Sequence, residues 1–112
     1  MSQREVWWAH LPEPSGAGRG FRRPVVIVQG DGFNRSLIST VVCVPLTSNL
    51  RWEQGPGNVV LSMKSTGLPR DSVANVSQLV TLDRDLLTEC TGGLSRSQIE
   101  LLLAGIDLVL GR

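Results

Sequence analysis

The sequence predicts a mainly β protein with helices, one domain over residues 1–112. The expected form is a strongly twisted, mostly antiparallel sheet or open barrel closed by a C-terminal α-helix. Three observations predict it. Two continuous apolar runs, "VVIV" (Val25 to Val28) and "VVCVPL" (Val41 to Leu46), have the length of strands and no polar alternation, so each is covered on both faces. Glycine- and proline-rich stretches separate the apolar runs at short intervals. Only the end of the chain carries a helix start signal followed by helically spaced apolar residues.

The elements follow in order. "EVWWAHL" (Glu5 to Leu11) is a first strand, aromatic and stopped by Pro12. Trp7 and Trp8, as neighbours on a strand, point to opposite faces. Pro12 to Phe21, with two prolines and three glycines, is a long loop. Pro24 opens a second strand, Val25 to Gln29, at the position where a strand tolerates proline. "GDGFN" is a turn, followed by room for a short helical turn. Ser39 to Leu46 is the third strand, and "TSNLRWEQGPG" is a second long loop. "NVVLSM" is a fourth strand and "KSTGLPR" a turn region. Asp71 to Leu82 is one bent strand or two. Its alternation slips at Asn75, because Val73 lies in one phase while Val76, Val80 and Leu82 lie in the other, and a bulge or break explains the slip. "DRDLL" forms one helical turn capped by Asp83.

The final helix is the most explicit element. Ser95 and Gln98 match a capping box, and Leu94 and Ile99 are placed for a hydrophobic staple. From Ile99 to Leu110 only Glu100 and Asp107 interrupt the apolar surface with charge. That is more apolar face than a small sheet needs, so the helix sits deep or covers a partner.

Composition narrows the function classes. The chain is 41% hydrophobic and 19% charged, a globular balance. Its net charge of +1 is unevenly spread: residues 1–70 hold eight Lys/Arg against four Asp/Glu, and residues 71–112 hold three against six. Arg19, Arg22 and Arg23 form a tight cationic group able to attract phosphate locally. With no tyrosine and only five Phe and Trp residues, contact with nucleic acid leans on charge and hydrogen bonds more than on stacking. Cys43 reads as a small core residue, and Cys90 forms no CxxC with it. The segment "MSQREVWW" has no apolar signal region and no run approaches a membrane span, so the expected location is cytoplasmic, without a membrane partner.

Several kinds of site are set aside. His10 is the only histidine, so a triad would have to use it. His10, Cys43 and Cys90 are too dispersed for a zinc site, and no metal or cofactor is expected. "GAGRG" lacks the strand and helix that a phosphate loop needs. What remains is a pair of strand ends. Arg23 stands directly before Pro24, and Thr47 and Ser48 follow the third apolar run. If those strands are antiparallel neighbours, a guanidinium and a hydroxyl converge, a combination suited to a phosphate. Asn34, Asn49 and Asn75 are turn residues first and base readers second. Gln78 has two standing readings, a buried amide satisfied by backbone groups or a contact to a base edge.

The ordered segments "REVWWAHL", "RRPVVIVQGDGFN", "STVVCVPLTSN", "GNVVL" and "GLPRDSVANVSQLVTLDRDLL", with the terminal helix, resemble the MazF/PemK (Kid) family of toxin endoribonucleases over nearly the whole chain. The resemblance implies a small SH3-like barrel of the plasmid-toxin type, assembled as a homodimer. It implies sequence-specific, metal-independent cleavage of single-stranded RNA, with the substrate's own 2′-hydroxyl as nucleophile. The products then carry 2′,3′-cyclic phosphate and 5′-hydroxyl ends. It also implies a cognate antitoxin protein. The family's catalytic arginine, directly before the proline, falls on Arg23, and its catalytic threonine or serine falls on Thr47. Arg19, Arg22, Ser48, Asn49 and Gln78 are the expected RNA-binding residues. Many relatives carry Gly-Ser-Glu in the loop where this chain has Gly16, Ala17 and Gly18, so that glutamate's acid–base role does not transfer. His10 stands where many relatives have Asp. Two alternatives accompany this reading: a gyrase-poisoning toxin of the same fold, and a degenerate member that only binds RNA or its antitoxin.

Overall fold

The computed structural model describes residues 1–11 and 21–112. Its strands are β1 (Glu5–Leu11), β2 (Phe21–Ile27), β3 (Thr40–Thr47), β4 (Val59–Leu61), β5 (Ser72–Ala74), β6 (Val80–Asp83) and β7 (Leu87–Gly93). All their pairings are antiparallel, in the order β4-β5-β3-β2-β1-β7 with β6 also on β3. Three helices, α1 (Asp31–Asn34), α2 (Met63–Thr66) and α3 (Arg96–Val109), complete the described elements with three 3-10 turns. Among the described residues no helix is long and apolar enough to cross a membrane.

The continuous apolar runs are buried on both faces, as the lack of alternation requires. Val26, Val44 and Leu46 point toward Leu102 and Ile106 of α3. The alternate residues Val25, Ile27 and Cys43 meet Leu82 and Leu87, brought over by the curl of the sheet. Trp7 and Trp8 divide between these two clusters, one on each face.

The slip at Asn75 is a real break. β3 pairs with β6 up to Cys43–Val80 and with β5 from Leu46–Ala74. Two residues of β3 therefore face five, from Asn75 to Leu79, and the surplus coils into the 3-10 turn Val76–Gln78. The Asn75 N–H donates to Pro45 O at 3.0 Å, which holds the turn against the strand.

Two boundaries differ from expectation, and two elements were not anticipated. β2 begins at Phe21, three residues before Pro24, because Leu11–Phe21 to Val6–Val26 form one ladder with β1. Pro24 is tolerated since pairing to β3 starts only at Val25, leaving that side of the strand open. The fourth strand stops at Leu61, because Ser62 caps α2 by accepting from the Ser65 N–H. The loop after β3 contains the 3-10 turn Leu50–Gln54. The seventh strand, β7, carries no apolar pattern in "LTECTGG". It is an end strand of the sheet, where polar residues are favoured. α2 lies beside it, ended by Gly67 at φ +75°, and the Thr91 hydroxyl donates to Thr66 O at 2.8 Å.

The capping box is formed. Ser95 Oγ accepts from the Gln98 N–H at 3.2 Å, and Gln98 Oε1 accepts from the Ser95 N–H at 2.9 Å. Leu94 and Ile99 are both buried beside it. α3 buries Ile99, Leu102, Gly105 and Ile106, while Leu101, Leu108, Val109 and Leu110 stay exposed.

α3 seats on the loop before β4 through two glycines. Gly57 has φ +81°, and a Cβ there would meet Gly105 O at 2.9 Å. A Cβ on Gly105 would overlap the Gly57 carbonyl oxygen, which is backbone and cannot rotate away. Alanine normally stabilises a helix interior by about 1 kcal/mol over glycine. Here the overlap outweighs that gain, so Gly105→Ala is expected to destabilise the protein by roughly 1–3 kcal/mol. Thermal unfolding followed by circular dichroism checks it; an unchanged or raised Tm would mean that α3 does not rest on Gly57.

Candidate functional site

The β2–β3 ladder runs through Val25–Pro45, Val26–Val44 and Ile27–Cys43 and then stops. Beyond that point β2 continues on β1, with Arg23 opposite Ala9, and β3 continues on β5, with Thr47 opposite Val73. The two strands part like a fork. Continuing their register by two residues sets Arg23 opposite Thr47, the convergence anticipated from the sequence. Pro24 and Pro45 stand at the fork, and neither has an N–H to extend a ladder.

Each prong positions a side chain. Arg23 is exposed, with its guanidinium carbon 5.2 Å from the centroid of the Phe21 ring. Thr47 is half-buried, and its Oγ1 accepts from the Asn49 N–H at 3.2 Å. A hydroxyl oxygen that accepts this bond still has its own O–H to donate. A planar set of guanidinium donors and an oriented hydroxyl therefore border the same gap, which suits an oxyanion.

The gap has two sides. Arg23, Leu46 and Thr47 line both a cavity of about 780 Å³ and a second of about 290 Å³. The larger lies toward Asn75, Gln78, Asp83 and Trp52. The smaller lies toward Trp8, Arg22, Ser48 and Arg70. The larger is within the usual range for a binding site.

The other anticipated residues separate clearly. Gln78 is exposed and lines the large cavity, so the buried-amide reading does not describe it. Ser48 lines the small cavity. Arg22 also lines the small cavity, but it is engaged: it stacks 4.5 Å over Trp8 and pairs with Glu89 at 3.2 Å. Asn49 caps the 3-10 turn after β3, accepting from the Arg51 N–H, and lines neither cavity. Asn34 is buried and donates to Gln29 O at 2.8 Å, a structural role. His10 is exposed and lines neither cavity. Arg19 and the Gly16-Ala17-Gly18 stretch lie outside the described residues.

Sequence reasoning passed over Trp52 and Arg70 and read Asp83 only as a helix cap, where its side chain makes no capping bond. Trp52 sits in a segment with loop composition, and no local pattern shows that the 3-10 turn containing it carries it to the cavity. Arg70 and Asp83 reach the site through the pairing of β5 and β6 to β3, a long-range event.

Neither cysteine lines either cavity. Cys43 is buried among apolar residues, and desolvation pushes its pKa up to about 12. Cys90 is exposed and also raised, first by partial burial and then by the charge of Glu5. Among the described residues no three His, Cys, Asp or Glu side chains gather as metal ligands.

The chain as a whole is similar to known proteins. The chain matches, over residues 2–110, the family described as the PemK-like, MazF-like toxin of type II toxin-antitoxin systems. It is 41% identical over 110 residues to Endoribonuclease MazF6 of Mycobacterium tuberculosis, covering 98% of this chain and 96% of that one. It is 32% identical over 111 residues to Endoribonuclease MazF of Staphylococcus saprophyticus, covering 99% and 92%. In fold it is similar to a solved structure described as an endoribonuclease in complex with its cognate antitoxin from a mycobacterial species. That match has a TM-score of 0.79 at 23% identity and covers 99% of this chain and 95% of that one.

Proposed function

The chain belongs to the PemK-like, MazF-like toxin family, and from that premise we propose that it is an endoribonuclease toxin that cleaves single-stranded RNA at the fork between β2 and β3. The observation that carries the reading is the placement of Arg23 and Thr47 on one wall, each two residues beyond the last β2–β3 pair and both bordering both cavities.

The chemistry follows from what these groups can do. The RNA's 2′-oxygen attacks the adjacent phosphorus and gives up its proton to a solvent water. The bond from phosphorus to the 5′-oxygen breaks, and that oxygen takes a proton from solvent. The ends are a 2′,3′-cyclic phosphate and a 5′-hydroxyl. A nucleophile supplied by the substrate needs no activated serine or cysteine in the protein. What the protein supplies is charge stabilisation of the phosphorane, whose oxygens carry more charge than those of the ground state. Arg23 offers a fixed fork of donors and Thr47 a hydroxyl donor. Neither step requires a metal ion.

Two partners complete the reading. The exposed Leu101, Leu108, Val109 and Leu110 give α3 an uncovered apolar face, which supports a homodimer. A cognate antitoxin with an acidic segment suits the arginines of the groove, and lying there it shuts off cleavage.

Single-turnover cleavage of a defined RNA in EDTA tests the catalytic assignment. Arg23→Ala and Thr47→Ala are each expected to lose roughly 100- to 1,000-fold in rate, about 3–4 kcal/mol, with the fold retained. Arg23→Lys is also expected to be poor, because an ammonium lacks the planar fork. Adding the cognate antitoxin to the wild-type reaction should suppress it. Arg23→Ala cutting at the wild-type rate would remove the assignment. For the oligomer, light scattering at micromolar concentration should give twice the chain mass, and Leu101→Lys with Leu108→Lys should shift it toward one chain mass. A wild-type monomer would end the dimer reading.

A further inference from the structure

The wall between the cavities has two chemically unlike sides. On the large side Arg23 is the one cation among the described lining residues, and Asp83 brings a carboxylate. Gln78 and Asn75 add carboxamides, which both donate and accept. Trp52 stands at this cavity 51% exposed, a large apolar ring left facing water beside polar groups. A carboxylate repels a phosphate but accepts from the amino group of a base, and carboxamides match base edges. A flat exposed indole is a stacking surface for any base.

The small side is the reverse. Arg22, Arg23 and Arg70 contribute three guanidinium groups, Ser48 and Ser72 line it beside them, and no carboxylate is among its described lining residues. Such groups hold phosphate and carry no sequence information. Of the three, Arg23 belongs to the scissile phosphate, and Arg22 is held by Trp8 and Glu89. Arg70 makes no ion pair among the described residues. It is therefore the guanidinium available to a second phosphate.

We propose that RNA crosses the Arg23–Thr47 wall with its two sides doing different work: Trp52 stacks a base that Gln78 and Asp83 read in the large cavity, and Arg70 grips a neighbouring phosphate in the small one. The proposal rests on the ribonuclease reading. It makes Gln78 and Asp83 the specificity residues, with Trp52 holding the base in place for them, and Arg70 an affinity residue on the other side of the wall. The two roles differ in their response to salt. Losing a phosphate contact reduces the salt dependence of binding, whereas losing a stacked base does not.

The test uses an RNA whose cleavage site has been mapped with the wild-type protein, carrying a 2′-deoxy nucleotide at that site so that it binds uncut. Fluorescence anisotropy at several salt concentrations measures affinity. Trp52→Ala is expected to weaken binding on the order of 10-fold with an unchanged salt slope, and Trp52→Phe to restore most of it. On a long RNA Trp52→Ala should also cut at additional sequences. Arg70→Ala is expected to weaken matched and mismatched RNAs alike and to lower the slope of log affinity against log salt by about 0.7. Wild-type affinity and pattern for Trp52→Ala, or an unchanged slope for Arg70→Ala, would overturn the proposal. A wild-type protein that neither binds nor cuts RNA would instead remove the ribonuclease reading, and this inference with it.

Discussion

The molecule turns on the place where β2 and β3 stop pairing. Two strands that stayed hydrogen-bonded to their ends would close the groove and leave Arg23 and Thr47 as ordinary edge residues. Pro24 and Pro45 stand at that point without N–H groups, and β1 and β5 offer each strand another partner. The ladder therefore ends at Val25–Pro45 while both backbones remain in sheet. This explains how an exposed cation starts from a rigid base. Val25 and Ile27, two and four residues past Arg23, are buried together with Cys43 of β3, so the arginine's backbone is anchored although its guanidinium meets solvent.

The break at Asn75 is the second half of the same construction. Had the stretch from Ser72 to Asp83 run as one strand, it would have filled the edge of β3 and walled off the groove. The surplus residues coil into a 3-10 turn instead, with Val76 buried in the core and Gln78 exposed at the large cavity. A single irregularity both bends the sheet and supplies a polar side chain to the site.

Much of this was legible in the residues. Continuous apolar runs marked the doubly covered strands, the phase slip marked the break, and Ser95 with Gln98 marked the start of α3. Arg23 before Pro24 and Thr47 after "VVCVPL" marked the catalytic candidates, though only family resemblance gave them roles. β7 was not legible, since an end strand against α2 does not need an apolar face. Trp52, Arg70 and Asp83 were not legible either, because chain separation hides what strand pairing brings together. Arg22, expected to bind RNA, also lies on Trp8 and pairs with Glu89 from the acidic half of the chain, an exposed pair that adds about 0–1 kcal/mol at most; composition did not show this engagement.

The central claim is that the nucleophile comes from the RNA and that the fork only holds and stabilises what that nucleophile creates. One substrate change addresses it without touching the protein. An RNA lacking a single 2′-hydroxyl, at the nucleotide just before the cleaved bond, is incubated with the wild-type protein beside the unmodified RNA. The account predicts that the modified RNA survives intact and that the unmodified one yields a 2′,3′-cyclic phosphate and a 5′-hydroxyl. Cleavage of the modified RNA at the same bond would contradict it, because water or a protein side chain would then be the attacking group.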